Sequence, residues 1–120
     1  MTLPPNPLPS CPNSPNCARR TVLLKNSPST TLKVIHNHLT KMGAKELDMD
    51  VENLSIHAVF VIPLMGFKDD VKVKVESHGE GSAAHFRSAS RDGYYDLGVN
   101  ERRLKKLCKR MNKDLTILKY

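Results

Sequence analysis

The sequence is poor in aromatic residues and has no tryptophan. Three Phe and three Tyr are the only aromatic side chains among its 120 residues, so the core must be mainly aliphatic. No apolar run approaches the roughly 20 residues that a membrane-spanning helix needs. The N-terminus also lacks a basic flank followed by an apolar stretch, so no signal peptide is visible. These absences predict a cytoplasmic protein or, alternatively, an exported protein whose signal has been removed.

Acidic residues are scarce relative to basic ones. The chain has 12 Asp and Glu against 19 Lys and Arg, which gives a formal net charge of +7. Such an excess raises encounter rates with nucleic acid, anionic lipid or acidic ligands, but it gives no specificity. It is concentrated after residue 101, where one acid, Asp114, accompanies Arg102, Arg103, Lys105, Lys106, Lys109, Arg110, Lys113 and Lys119. This run predicts the solvated face of an amphipathic helix, with a nucleic-acid or membrane-surface role as the alternative. Because no aromatic residues are interleaved with it, we expect no specific nucleic-acid partner.

The length predicts one domain, and proline marks its N-terminal boundary. Residues 1–17 contain Pro4, Pro5, Pro7, Pro9, Pro12 and Pro15. Proline fixes φ and removes a hydrogen-bond donor, so this part of the chain must be extended. We therefore divide the chain into a proline-rich extended arm, residues 1–27, and a single α+β domain, residues 28–120.

Two segments have helical periodicity. Ser27 followed by Pro28 resembles an N-cap and first turn, and the apolar spacing after it predicts a helix over about 28–42, ended by Gly43. A second helix is predicted over about 100–113, with Asn100 as its N-cap and Cys108 on its apolar stripe.

Between the helices the period changes to two. Four alternating runs are joined by short turns, which predicts an antiparallel meander. Residues 63–70 form a longer loop in which Met65, Gly66 and Phe67 could fold back as a lid or plug. The predicted fold is thus α+β, with a four-stranded antiparallel sheet and both helices packed on one face.

Three cysteines are too few for a disulfide framework. Cys108 is expected to be a buried thiol. Cys11 and Cys17 bracket a turn-rich loop, and a disulfide could join them in an oxidising compartment. Their spacing does not match a redox or zinc motif, and His36 and His38 point to different faces of a helix. We therefore predict no metal site.

The chemically densest segment runs from Arg87 to Arg103. It leads from a strand end, through a glycine-containing loop, to a helix N-terminus, where free backbone N–H groups favour anions. The alternative is a structural network in which Arg87 or Arg91 pairs with Asp96 and the serines bond the loop backbone. The candidate anion-binding residues are Arg87, Ser88, Ser90, Arg91, Asp96, Asn100 and Arg103.

Four motifs, in their order along the chain, resemble an uncharacterised family found in bacteria and plastids, catalogued as domain of unknown function 1499. They are CPNSPNC (11–17), HAVF (57–60), FKDDV (67–71) and the arginine- and serine-containing segment that ends in DLGVN (96–100). The resemblance covers nearly the whole chain. It implies a common fold and a shared Arg87–Arg103 segment, and no established reaction. Many members look exported or membrane-attached, and this chain differs from them in showing no such signal.

These observations favour a non-catalytic binding module for a small anionic ligand or an acidic partner protein, acting through the Arg87–Arg103 segment. The alternative is an enzyme with its site between that segment and the 63–70 loop, using Asp69, Asp70 or Asp96 as an acid or base. We assign no catalytic residue and no cofactor, and the sequence gives no indication of oligomeric state.

Overall fold

The computed structural model describes residues 2–12, 16–92 and 98–120, which form two helices and one six-stranded antiparallel sheet. The elements in chain order are β1 (Cys17–Leu24), α1 (Pro28–Lys41), β2 (Glu46–Asp50), β3 (Ser55–Val61), β4 (Lys68–His78), β5 (Gly81–Ser90), α2 (Val99–Met111) and β6 (Ile117–Lys119). The strand order across the sheet is β2-β3-β4-β5-β1-β6. The α+β class and the meander from β2 to β5 are confirmed.

α1 begins and ends where the sequence signals indicate. The Ser27 hydroxyl accepts a hydrogen bond from the Thr30 backbone N–H at 3.3 Å, and Pro28 opens the first turn. The helix ends at Lys41, and Gly43 follows with φ of 97°, a left-handed conformation that glycine adopts without steric cost. α1 buries Leu32, Ile35 and Leu39 against the sheet.

Strand alternation separates the sheet into two faces. We call the face that packs against both helices the helix face; it carries Ile56, Val73 and Phe86, which lie in the hydrophobic core. The opposite side is the open face, which carries His57 and Lys72. Successive strand residues point to opposite faces, so an odd or even position decides which residues reach the core.

The prediction of four strands was wrong in number, because β1 and β6 also join the sheet. β1 pairs with β5 along its whole length, and β6 pairs with Leu23 and Leu24 of β1. The predicted arm of residues 1–27 therefore extends too far, since its last third is a central strand. β1 ends in three consecutive buried residues, Val22, Leu23 and Leu24, so its sequence does not alternate. β6 has three residues, which is too short for periodicity to show.

The N-cap predicted for α2 was also wrong. Gly98, with φ of 82°, occupies that position, and Asn100 lies inside the first turn with no exposed surface. The loop after β3 is shorter than the expected 63–70, because β4 begins at Lys68. Met65 is 62% exposed and does not fold back as a plug. Within the described part of the chain, neither helix is both long enough and apolar enough to cross a membrane.

Candidate functional site

β5 carries the predicted anion-binding segment through the sheet and divides its residues between the two faces. Ser88 shares the parity of Phe86 and lies on the helix face, whereas Arg87 lies on the open face. Arg91 follows the end of β5 and reaches the open face as well. Arg87 and Arg91 stand at positions of the same parity and lie on the same face. Arg103, however, approaches from the helix side, so the sheet separates it from the other two arginines.

On the helix face, four of the polar side chains form a buried cluster. Nη1 of Arg103 donates to Oγ of Ser88 at 3.0 Å and to Oδ1 of Asn100 at 2.7 Å. The Ser88 hydroxyl donates to the same Asn100 oxygen at 2.6 Å. Nη2 of Arg103 lies 2.9 Å from Oδ2 of Asp69, and the guanidinium carbon lies 4.7 Å from the centre of the Phe60 ring.

This buried cluster is typical of a fold-stabilising network. Asp69, Ser88 and Asn100 have no exposed surface, and the Arg103 side chain is 9% exposed. One guanidinium faces one carboxylate, so the charge is balanced within the cluster. The amide of Asn100 also donates to the backbone oxygen of Asn16 at 3.1 Å, which joins α2 to the start of β1. For these residues, the structural alternative from the sequence analysis fits best.

Arg91 is paired with a carboxylate on the open face. Its Nε and Nη2 donate to the two oxygens of Asp70 at 3.0 and 2.7 Å. Nε2 of His57 lies 2.7 Å from Oδ1 of the same carboxylate. Hydrogen bonding from Arg91, opposed in part by burial, lowers the pKa of Asp70 to about 2. Ser90, at the end of β5, accepts a hydrogen bond from the Asp92 backbone N–H at 3.2 Å.

Arg87 lies in a line of three cations that crosses the open face. The strand register places Arg19 of β1 opposite Arg87, and Arg87 opposite Lys72 of β4. We call Arg19, Arg87 and Lys72 the cationic row. His57 of β3 lies opposite Lys72 and continues the same line. Residues directly opposite one another in an antiparallel sheet have Cβ atoms about 5 Å apart. In the described part of the chain, no carboxylate forms an ion pair with any member of the row.

Backbone carbonyl groups contact two members of the row instead. They belong to residues 2–12, which we call the N-terminal segment. Nη2 of Arg19 donates to the backbone oxygens of Asn6 and Leu8, both at 2.9 Å. Nε of Arg87 donates to the backbone oxygen of Pro9 at 3.0 Å. The N-terminal segment therefore lies across the open face of the sheet.

A pocket of about 520 Å³ opens beside the cationic row. Pro7 and Leu8 of the N-terminal segment form one of its walls. The strands β2, β3 and β4 contribute polar side chains from the open face, namely Asp48, Asp50, Ser55, His57, Lys72 and Lys74. Lys72 therefore belongs both to the row and to the pocket, and a ligand in the pocket would contact the row at that residue.

The N-terminal segment is covalently linked to the sheet. Cys11 and Cys17 form a disulfide with their Cα atoms 5.6 Å apart, which lies within the limit of about 7 Å for such a bridge. Cys17 is the first residue of β1. Cys108 is a free thiol, and burial raises its pKa.

A hydroxyl, an imidazole and a carboxylate also form a chain on the open face. Oγ1 of Thr21 lies 2.8 Å from Nδ1 of His85, and Nε2 of His85 lies 2.7 Å from Oε2 of Glu76. The order resembles a nucleophile, a base and an orienting acid. However, the His85 side chain has no exposed surface, and Thr21 stands directly opposite it in the sheet. The three groups satisfy one another as a cross-strand cluster, so we assign them no chemistry.

Sequence reasoning missed two of the three cations in the row. Arg19 was missed because β1 was assigned to the extended arm. A signal for Lys72 was present: it alternates with Val71 and Val73, so it had to lie on the face away from the core. What the sequence lacks is the register that sets it opposite Arg87.

Asp96 lies outside the described residues, so its predicted place in the site stays a prediction. Among residues 2–12, 16–92 and 98–120, no group of three or more His, Cys, Asp or Glu side chains is arranged to hold a metal ion.

No curated protein matches the chain. The model of a protein family described as a protein of unknown function, DUF1499, matches residues 7–111, a range that contains the N-terminal segment from Pro7 onward, β1 to β5 and α2. Because the match covers most of the chain, this protein belongs to the DUF1499 family.

Proposed function

We propose that this protein is a non-catalytic binding module that takes a small anionic ligand, or an acidic segment of a partner protein, on the cationic row. One observation carries the proposal: Arg19, Arg87 and Lys72 lie in direct cross-strand register without a carboxylate partner in the described part of the chain.

The row has an electrostatic cost that an anion would relieve. Like charges directly opposite one another destabilise a sheet. Nε of Arg19 is, in addition, buried without a hydrogen-bond partner among the described residues. A buried donor without a partner costs on the order of 1–3 kcal/mol. An anion close to the row would offset the repulsion between its members.

The chemistry of the row fits phosphate, sulfate or carboxylate groups. Guanidinium groups present a planar fork of donors that matches two oxygens of such a ligand, and a lysine adds a compact charge. Nε of Arg87 donates a hydrogen bond to the backbone oxygen of Pro9. The two Nη groups of Arg87 have no hydrogen bond to any described residue. The adjoining pocket has the volume of an ordinary small-molecule site.

Asp69 and Asp70, the two acid or base candidates that the structure describes, give little support to the enzyme alternative. Asp70 is held ionised by Arg91 and has a pKa of about 2, so it is a poor proton donor near neutral pH. Asp69 has no exposed surface and faces Arg103. Both residues belong to β4 rather than to the predicted 63–70 loop.

The disulfide favours the exported alternative for localisation. Disulfides persist in oxidising compartments and are rare in the cytosol. The Cys11–Cys17 bridge therefore supports an oxidising compartment for this protein, against the cytoplasmic prediction from the sequence.

Titration of isotope-labelled protein with inorganic phosphate, followed by amide chemical shifts, tests the proposal. We expect the shift changes to centre on Arg19, Lys72 and Arg87. Arg87→Gln and Lys72→Gln should each weaken phosphate binding about tenfold, because each removes one charge-assisted contact. Thermal unfolding of the same variants should change little.

Lys113→Gln is the matched control, since it removes one positive charge from an exposed position away from the open face. It should leave phosphate affinity unchanged. If Lys113→Gln and Arg87→Gln weaken phosphate binding equally, phosphate affinity depends on net charge alone. If the amide chemical shifts of the row do not change with phosphate, the row is not a phosphate site.

A further inference from the structure

The N-terminal segment occupies donors that an anion on the cationic row would use. Both hydrogen bonds of Arg19 Nη2 and the single bond of Arg87 Nε end on its backbone oxygens. The side chain of Asn6 anchors it further by donating to the backbone oxygen of Arg20 at 3.2 Å. A carbonyl oxygen is a neutral acceptor and satisfies a guanidinium hydrogen bond without neutralising its charge.

Proline makes this segment suited to presenting carbonyl groups. Pro4, Pro5, Pro7 and Pro9 have no N–H, and an extended chain rich in proline forms few hydrogen bonds within itself. Its carbonyl oxygens are therefore available to accept hydrogen bonds from the arginines. Few of its own N–H groups need an acceptor on the sheet.

The disulfide keeps the segment over the row. Pro9, which contacts Arg87, is two residues from Cys11, and Arg19 is two residues from Cys17. With the bridge closed, the carbonyl groups stay close to the arginines, and their effective concentration at the row is high. With the bridge open, the segment is joined to β1 only through the chain from residue 12 to residue 16, and its contacts depend on a few exchangeable hydrogen bonds.

From this arrangement we infer that the N-terminal segment is a redox-released strap that competes with the anionic ligand for Arg19 and Arg87. The inference rests on the proposed function of the row. In the oxidised protein the carbonyl groups of the strap hold the arginine donors. A reducing dithiol opens the bridge by two-electron exchange: the Sγ–Sγ bond breaks, Cys11 and Cys17 each gain a proton, and the dithiol becomes a disulfide. The freed arginines then bind the anion.

The test compares the phosphate affinity of the full-length protein before and after reduction with excess dithiothreitol. We expect phosphate to bind about five- to tenfold more tightly after reduction, within the usual range of coupling between sites. A variant with both Cys11→Ser and Cys17→Ser should bind as tightly as the reduced protein under either condition. Cys108 is a thiol in both states, so reduction does not change it.

A second variant releases the strap without altering the disulfide. Asn6→Ala removes the bond to the Arg20 backbone, so the oxidised variant should bind phosphate more tightly than the oxidised wild type. The backbone amide signals of Asn6 and Leu8 should also lose their dependence on Arg87→Gln once the bridge is open.

The outcomes separate this inference from the proposed function. Equal phosphate affinity in the two redox states, with binding still dependent on Arg87, contradicts the strap and leaves the proposed function intact. Weaker binding after reduction also contradicts it, because the segment would then be part of the binding site. If phosphate binds the row in neither state, both the proposed function and the strap are wrong.

Discussion

The guanidinium of Arg103 lies 2.9 Å from the carboxylate of Asp69, and the Asp69 side chain has no exposed surface. This pair joins α2 to β4 across the core. The other terminal nitrogen of Arg103, Nη1, donates hydrogen bonds to Ser88 and Asn100.

We expect Asp69→Ala to be among the most destabilising single changes in this protein. Removing one partner of a buried ion pair leaves the other charge uncompensated and costs about 3–5 kcal/mol. The free energy of unfolding in urea measures the loss. Asp48→Ala, at an exposed position on β2, is the control and should cost less than about 0.5 kcal/mol. A loss below about 1 kcal/mol for Asp69→Ala would mean that the cluster does not hold α2 to the sheet.

A second prediction concerns the acid side of the stability profile. The folded-state pKa of Asp70 is about 2, below its usual value of 3.8, chiefly because Arg91 donates hydrogen bonds to it. A depressed carboxylate pKa stabilises the folded state above pH 3.8, and this stabilisation is lost as the pH falls towards 2. Arg91 is 43% exposed, so solvent screening reduces the contribution to about 1 kcal/mol.

Unfolding of wild type and Asp70→Asn between pH 6 and pH 2 measures this contribution. The difference in stability should be largest near pH 6 and should disappear near pH 2. Arg91→Gln should reproduce the same profile, because it removes the main cause of the shift. A difference that stays constant with pH would point to a packing effect instead.

The meander and both helices could be predicted because their periodicities are clear. Val71, Val73 and Val75 alternate with polar residues, and Leu32, Ile35 and Leu39 follow helical spacing. β1 could not be predicted in the same way. Leu23 points to the open face and is still buried, so the apolar residues at the end of β1 serve both faces and hide the period of two.

The site was predicted only in part, for a different reason. Arg87 and Arg91 share one parity and lie on the open face, whereas a site that also includes Arg103 would require α2 to pack on that face. α2 packs on the face that carries Phe86, because that face is apolar. The alternation of side chains along β5 therefore places Ser88 in the buried cluster and its neighbour Arg87 in the cationic row.

The β4–β5 turn provides a third prediction, about backbone packing. A Cβ atom on Gly81 would overlap the backbone oxygen of Leu24 and lie 2.9 Å from the carbonyl carbon of Lys25. Leu24 ends β1 and is paired with both β5 and β6, so its backbone cannot move aside cheaply and Gly81→Ala should cost about 1–3 kcal/mol.

Gly79→Ala in the same turn measures the cost of a left-handed backbone conformation without the steric overlap expected for Gly81→Ala. Gly79 has φ of 57°, and a Cβ there would meet nothing within 4 Å, so only the left-handed conformation is penalised, by about 1 kcal/mol. Thermal unfolding should show a greater loss for Gly81→Ala than for Gly79→Ala. The reverse order would mean that Leu24 and Lys25 do not pack against Gly81 as the structure describes.

The last prediction concerns the basic surface of α2 and the turn after it. Lys105, Lys106, Lys109 and Lys113 are exposed, whereas Arg110 is half-buried and donates to Nδ1 of His38 at 3.3 Å. Four solvated lysines attract phosphates without reading bases. Two unrelated DNA duplexes of equal length should therefore bind with equal affinity in fluorescence anisotropy. The logarithm of affinity should fall against the logarithm of salt concentration with a slope no steeper than about −4, one unit per phosphate contacted. Replacing the four lysines by Gln should abolish this binding, whereas Arg87→Gln on the open face should leave it unchanged. Tight binding to one duplex and not to the other at physiological salt would contradict the prediction and would make α2 a reader of sequence.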